Sequence, residues 1–217
     1  MEIHHKVLIP ADQTALEGDL VIPEKAKAIV LFAHGSGSSR FSPRNQFVAK
    51  FLRSHGLATL LIDLLSEEED AIDDANRQFR FDIELLSRRL CSITDWLLQD
   101  ERTKNLRIGY FGASTGAAAA LIAAAKRSSY VYAVVSRGGR PDLAGNYLDK
   151  VLSPALLIIG GNDTVIISLN REAATKLRCE TKIAIVPGAT HLFEEPGTLE
   201  KVAHQACEWF LNKAATK

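Results

Sequence analysis

Along this chain, short β-branched runs alternate with longer segments of helical period, and that recurrence restricts the fold more than any other feature. The runs are Ala28–Ala33, Ala58–Ile62, Arg107–Phe111, Tyr130–Val135, Ala155–Ile159 and Lys182–Val186. Ala28–Ala33 is apolar throughout, as a strand covered on both faces must be. Helical patterns fall between them at Asn45–Ser54, Asp82–Gln99, Thr115–Ala125, Ser168–Leu177 and Leu199–Lys213. In Asp82–Gln99, residues Ile83, Leu86, Leu90, Ile93 and Leu97 recur every three or four positions and make one buried stripe. The alternation predicts an α/β architecture, a mostly parallel sheet with helices on both faces. Two earlier runs, Lys6–Ile9 and Asp19–Ile22, are separated by a polar turn and predict an antiparallel hairpin at one edge. There is no internal repeat and no low-complexity linker, so residues 1–217 are read as a single domain.

Chemistry enters at Gly112-Ala113-Ser114-Thr115-Gly116. The segment follows the apolar run ending at Phe111 and opens a small-residue helix, the strand–turn–helix setting of a nucleophile elbow. Flanking glycines keep side chains out of a tight turn. The helix beginning at Thr115 directs its positive end at the Ser114 hydroxyl and favours negative charge there. A serine hydroxyl needs a base. His191, in Pro187-Gly188-Ala189-Thr190-His191 just past the last strand, is the candidate. The base needs an acceptor on its other ring nitrogen. Asp163, after Gly160-Gly161-Asn162 at the end of the penultimate strand, supplies a carboxylate. All three follow strand C-termini, the edge where open α/β sheets bind ligands. A fourth element, His34-Gly35-Ser36-Gly37-Ser38-Ser39, follows the buried strand Ala28–Ala33. Its backbone is expected to approach the reacting oxygen, with the N–H groups of Ser36 and Thr115 as the oxyanion hole and Gly37 close by. His34 is read as a packed loop residue, and the loop lacks the lysine of a phosphate-binding P-loop.

With these motifs the sequence resembles the α/β-hydrolase superfamily, and within it the compact dienelactone-hydrolase-related branch. The resemblance runs from the His34-Gly35 loop to the last helix. It implies an α/β-hydrolase fold, the triad Ser114, Asp163 and His191, and oxyanion donors at Ser36 and Thr115. Dienelactone hydrolases proper use a cysteine where this chain has Ser114. The segment from Arg137 to Ser153 leaves room for a minimal lid, which favours small or protruding substrates over long lipids. The activity implied is hydrolysis of a carboxylic ester, lactone or thioester through an acyl-enzyme, with no metal and no organic cofactor. A peptidase or an acyltransferase shares the constellation, and a non-catalytic ligand-binding module is the reading from another class.

Arginine binds carboxylate or phosphate through a planar fork. Arg40 and Arg44 after the oxyanion loop, with Arg137 and Arg140 in Ser136-Arg137-Gly138-Gly139-Arg140, are candidates to hold an anionic substrate group. The competing expectation pairs them with the acidic stretch Glu67–Asp74, itself read as a solvated loop, a helix entry or a mobile flap. Lys+Arg and Asp+Glu both number 26, so no basic excess points to nucleic acid. Cys91, Cys179 and Cys207 are far apart and unpatterned, which fits buried thiols in a reducing compartment. No secretory h-region and no span-length apolar run is visible, and the expected location is the cytoplasm. His4, His5, His55 and His204 lack partners at ligand spacing. Partners are expected to be a small-molecule substrate, without nucleic acid or membrane. The last helix, bearing Trp209 and Phe210, packs on the core of a monomer or at a homodimer interface.

Overall fold

A computed structural model describes residues 2–215; Met1, Thr216 and Lys217 lie outside it. The chain starts with a long hairpin, β1 (Glu2–Ala11) and β2 (Thr14–Pro23), paired from Glu2↔Pro23 to Ala11↔Thr14. Both strands outrun the predicted ones; in β1 the exposed Lys6, Leu8 and Pro10 alternate with Val7, Ile9 and Ala11 on the buried face. Asp12 takes a positive φ of 53° in the two-residue turn, a conformation that aspartate tolerates better than most residues.

The remaining strands are β3 (Ala28–Ala33), β4 (Ala58–Ile62), β5 (Arg107–Ala113), β6 (Val131–Arg137), β7 (Ala155–Gly160) and β8 (Thr181–Val186). They form one sheet in the order β1-β2-β4-β3-β5-β6-β7-β8. From β4 to β8 every pair is parallel, and β2 runs antiparallel to both its neighbours. Every residue of β3, β4 and β7 is buried, which explains their unbroken apolar composition.

Helices cover both faces. On one lie α1 (Pro43–Ser54) and α6 (Thr198–Ala215), whose Val48, Leu52, Ala206 and Phe210 pack on Phe32, Phe111 and Val135. Trp209 and Phe210 are both buried in this core. Gly109 of β5 makes room for the Phe210 ring, since a Cβ there would lie 2.8 Å from it. On the other face are α3 (Ile83–Leu97), α4 (Thr115–Lys126) and α5 (Thr164–Lys176). The alanine run of α4 is wholly buried, so small side chains set its close approach to the sheet.

Two elements resolve alternatives of the sequence reading. Residues 67–76 form a helix, α2 (Glu67–Asn76), as the helix-entry reading of the acidic stretch predicts. Ser66 and Glu69 cap it reciprocally, and four acids occupy its first turn, where the helix's positive end favours them. The short lid segment is a 3-10 helix over Pro141–Lys150, bent at Gly145. Among the described residues no helix is long and apolar enough to cross a membrane.

Candidate active site

Ser114 joins β5 to α4 with φ 50° and ψ −121°, a strained conformation for a non-glycine residue. Its neighbours enforce it. A Cβ on Gly112 would fall 2.4 Å from the Ala117 Cα, and one on Gly116 would fall 2.3 Å from the Ala33 carbonyl oxygen. The serine N–H donates to the Arg137 carbonyl at 3.2 Å, and its carbonyl accepts from the N–H of Arg140 at 3.1 Å. The end of β6 therefore clamps the turn from the side.

His191 and Asp163 meet at the same edge of the sheet. His191 Nδ1 lies 2.7 Å from Asp163 Oδ2. The two loops are stitched together. Asn162 donates its N–H to the Ala189 carbonyl at 2.9 Å and its side-chain amide to the Gly188 carbonyl at 3.0 Å. Gly160 is obligatory at this contact, since a Cβ would lie 2.5 Å from the Ala189 and Thr190 oxygens. Gly138, directly after Arg137, lies under the imidazole: its Cβ position is 3.5 Å from His191 Cε1 and Nδ1. Ser114 is thus bonded to the last residue of β6, and His191 lies close to the glycine that follows it. Among the described residues the Ser114 hydroxyl makes no hydrogen bond, to His191 or elsewhere.

The glycine-rich loop after β3 reaches the same turn. The Gly35 Cβ position is 3.0 Å from Ser114 Cβ. Here the structure departs from the expectation. The Ser36 N–H, expected to face an oxyanion, donates to Thr115 Oγ1 at 3.0 Å. The Ser36 hydroxyl is 2.9 Å from the same oxygen and donates to the Arg80 carbonyl at 3.2 Å. A threonine at the first helical position offers a hydroxyl where an unpaired loop N–H would otherwise point. The Thr115 N–H, at the start of α4, has no intrahelical acceptor. His34 is buried, accepts the Leu64 N–H at Nε2 and bonds the Gly35 carbonyl through Nδ1. Burial holds its pKa below 6.5 against the opposing pull of the Gly35 carbonyl and of Asp63 and Asp70.

The arginines divide. Arg40 is closed by Asp63, Glu17 and Asp19. Arg140 forks onto Asp142. Neither pairs with the acidic stretch, whose Asp73 and Glu69 hold Arg80 and Arg89 instead. Gly37 is exposed, with φ +63°, and faces the Arg80 guanidinium rather than Ser114. Arg44 pairs with Glu194 at 3.1 Å. The Arg137 guanidinium makes no hydrogen bond or ion pair among the described residues.

Sequence reasoning passed over Arg80, Asp73 and Asn170. Asp73 accepts N–H bonds from Phe79 and Arg80 as well as the Arg80 side chain. Burial opposes the Asp73 charge, but these donors hold its carboxyl below the usual range. Asn170 on α5 donates to the Gly139 carbonyl at 2.9 Å and steadies the turn after β6. Among the described residues no three His, Cys, Asp or Glu side chains are grouped to hold a metal ion.

The sheet order, the helices on both faces and the sharp turn after β5 define an α/β-hydrolase fold. The sequence model of the dienelactone hydrolase family matches residues 16–214, and the chain belongs to that family. A crystallised dienelactone hydrolase from Anabaena variabilis is 54% identical, superposes with a TM-score of 0.96, and is matched over 97% of this chain and 98% of its own. Est1E from Butyrivibrio proteoclasticus shares the fold at 16% identity, with a TM-score of 0.81 over 97% of this chain and 99% of its own. A Mycobacterium tuberculosis protein named as a phosphoribosyl transferase is 54% identical over 207 residues, 95% of this chain. The chain spans 46% of that relative's length.

Proposed function

We propose that this hydrolase-fold chain is a serine hydrolase that cleaves a carboxylic ester, lactone or thioester through an acyl-enzyme. The observation that carries the reading is the strained Ser114 turn placed at the same sheet edge as the His191–Asp163 hydrogen bond of 2.7 Å. Asp163 fixes the imidazole with its proton on Nδ1 and leaves the Nε2 lone pair for the serine proton. The reading requires a Ser114–His191 hydrogen bond during turnover; such bonds are often open without substrate. Oγ adds to the carbonyl carbon, and the imidazolium returns the proton to the leaving oxygen or sulfur. Water then enters by the same route, releases the acid and frees Ser114. The substrate oxygen takes its hydrogen bonds from the N–H groups of Thr115 and Ser36, displacing the Thr115 hydroxyl from the latter. Phosphoribosyl transfer, named for the longer relatives, belongs in this reading to the part of them outside the match.

The test is a panel of p-nitrophenyl esters and thioesters graded by chain length. Ser114→Ala should lower kcat by on the order of 10⁴–10⁶-fold and abolish labelling by a fluorophosphonate probe. Unchanged turnover in that variant removes the assignment. Partitioning of the acyl group to an added alcohol or amine would instead favour the transferase alternative.

A further inference from the structure

Arg137 ends β6, and its guanidinium lies in the core with 7% of the residue exposed. Nε and Nη1 are buried and without a hydrogen-bond partner. Strand alternation puts the side chain on the face of Val135, which packs with α1 and α6. The charge acting on it is that of Arg44, near the start of α1 and of the same sign. Burial, and then that like charge, lower the Arg137 pKa to about 10, so it remains a cation at neutral pH. Arg44 has an unpartnered buried nitrogen of its own, Nε. A folded chain does not bury a cation beside another cation without a counter-charge, because desolvation is then uncompensated. Arg40, Arg80, Arg89 and Arg140 all have carboxylates. Among the described residues none is supplied to Arg137.

We propose that Arg137, at the end of β6, and Arg44, near the start of α1, form a binding site for an oxyanion group, a phosphate or a carboxylate. The guanidinium forks match the geometry of both anions. The site is wired to the candidate triad. The Arg137 carbonyl holds the Ser114 N–H, Gly138 lies close to the His191 ring, and Glu194, three residues past His191, is the Arg44 partner. An anion that draws Arg44 from Glu194 therefore acts on the His191 loop. As a substrate subsite the proposal rests on the serine-hydrolase reading; as a site for a free anion it does not.

The experiment uses inorganic phosphate as probe, with the full chain and its Ser114→Ala variant, against chloride at matched ionic strength. Phosphate should raise the melting midpoint of both, so failure of the nucleophile assignment leaves this arm intact. Arg137→Met removes the unpaired charge while keeping the bulk. It should melt above the wild type in chloride and gain nothing from phosphate, a pair of signs that an ordinary buried contact would not give. Arg44→Gln, at a partly exposed position, should shrink the phosphate response without endangering the fold. A kinetic arm compares a neutral ester with its carboxylate- and phosphate-bearing analogues. A KM about tenfold lower for the charged series, erased in Arg137→Met, makes the anion part of the substrate. Equal KM values with the phosphate response present make it a free anion. No phosphate response together with equal KM values overturns the site, as does a phosphate response that survives in Arg137→Met.

Discussion

The two flanks of the sheet edge that carries Ser114 treat charge differently. On the flank of β2, β4 and α2, arginines and carboxylates close on each other. Arg40 ties the loop after β3 to Asp63 at the end of β4 and to Glu17 and Asp19 on β2. Arg80 and Arg89 tie α2 down through Asp73 and Glu69. A recess of about 650 Å³ opens beside this flank, lined among others by Glu17, His34, Arg40, Asp63 and Glu67, and it contains none of Ser114, Asp163 and His191. On the flank of β6 to β8, Arg140 holds Asp142, but Asp163 faces an imidazole and Arg137 has no acid among the described residues. The first flank closes its charges on the loop after β3 and on α2. The second leaves the Asp163–His191 pair and one guanidinium outside such a network.

The same conservative change on each flank should separate these duties. Asp163→Asn should lower kcat by about 10⁴-fold while the melting midpoint barely moves, since the stitching by Asn162 remains. Asp73→Asn should do the reverse. Weakening the charge-assisted bonds from Phe79 and Arg80 costs about 2 kcal/mol, or about 4–8 °C in a melting scan, with a smaller fall in kcat. Equal effects of the two variants on turnover and stability would erase the distinction.

His34 sharpens the comparison through pH. Its folded pKa lies below 6.5 because burial disfavours the cation. As pH falls through 6.5 the unfolded chain takes up the proton first, so stability declines down to the folded pKa and is flat below it. His34→Gln should flatten that part of the acid limb of a melting-midpoint profile; an unaltered slope would place the acid sensitivity elsewhere. The smallest effect belongs to Arg140→Ala. Its charge is already satisfied by Asp142, and the ratio of KM values for charged and neutral esters should change by less than about twofold. A larger change would move the anion subsite from Arg137 to Arg140.

Much of this architecture was legible before any coordinates. β3, β4 and β7 are buried on both faces, so burial alone dictates their composition and any reader of hydrophobicity finds them. The elbow was legible because Gly112 is required by backbone a few residues away at Ala117, a constraint local enough to leave a spacing, whereas Gly116 is required by the distant Ala33 and His34 carbonyls. The helix α2 was hard to see because its exposed acids lack apolar periodicity, although Ser66 and Glu69 wrote its cap in the sequence. The burial of Trp209 and Phe210 needed the sheet beneath them, where Gly109 leaves a gap.

By itself the sequence determined the strand–helix alternation, the residues placed at strand ends, and the order Ser114, Asp163, His191. These follow from periodicity and turn chemistry, which act over a few residues. The fold alone decided which arginines have partners, that the Thr115 hydroxyl takes the Ser36 N–H, and that Arg137 is buried beside Arg44. Those outcomes depend on groups distant in the chain meeting in low-dielectric surroundings, where a carboxylate a few ångströms nearer or farther changes a guanidinium from scaffold to binding site.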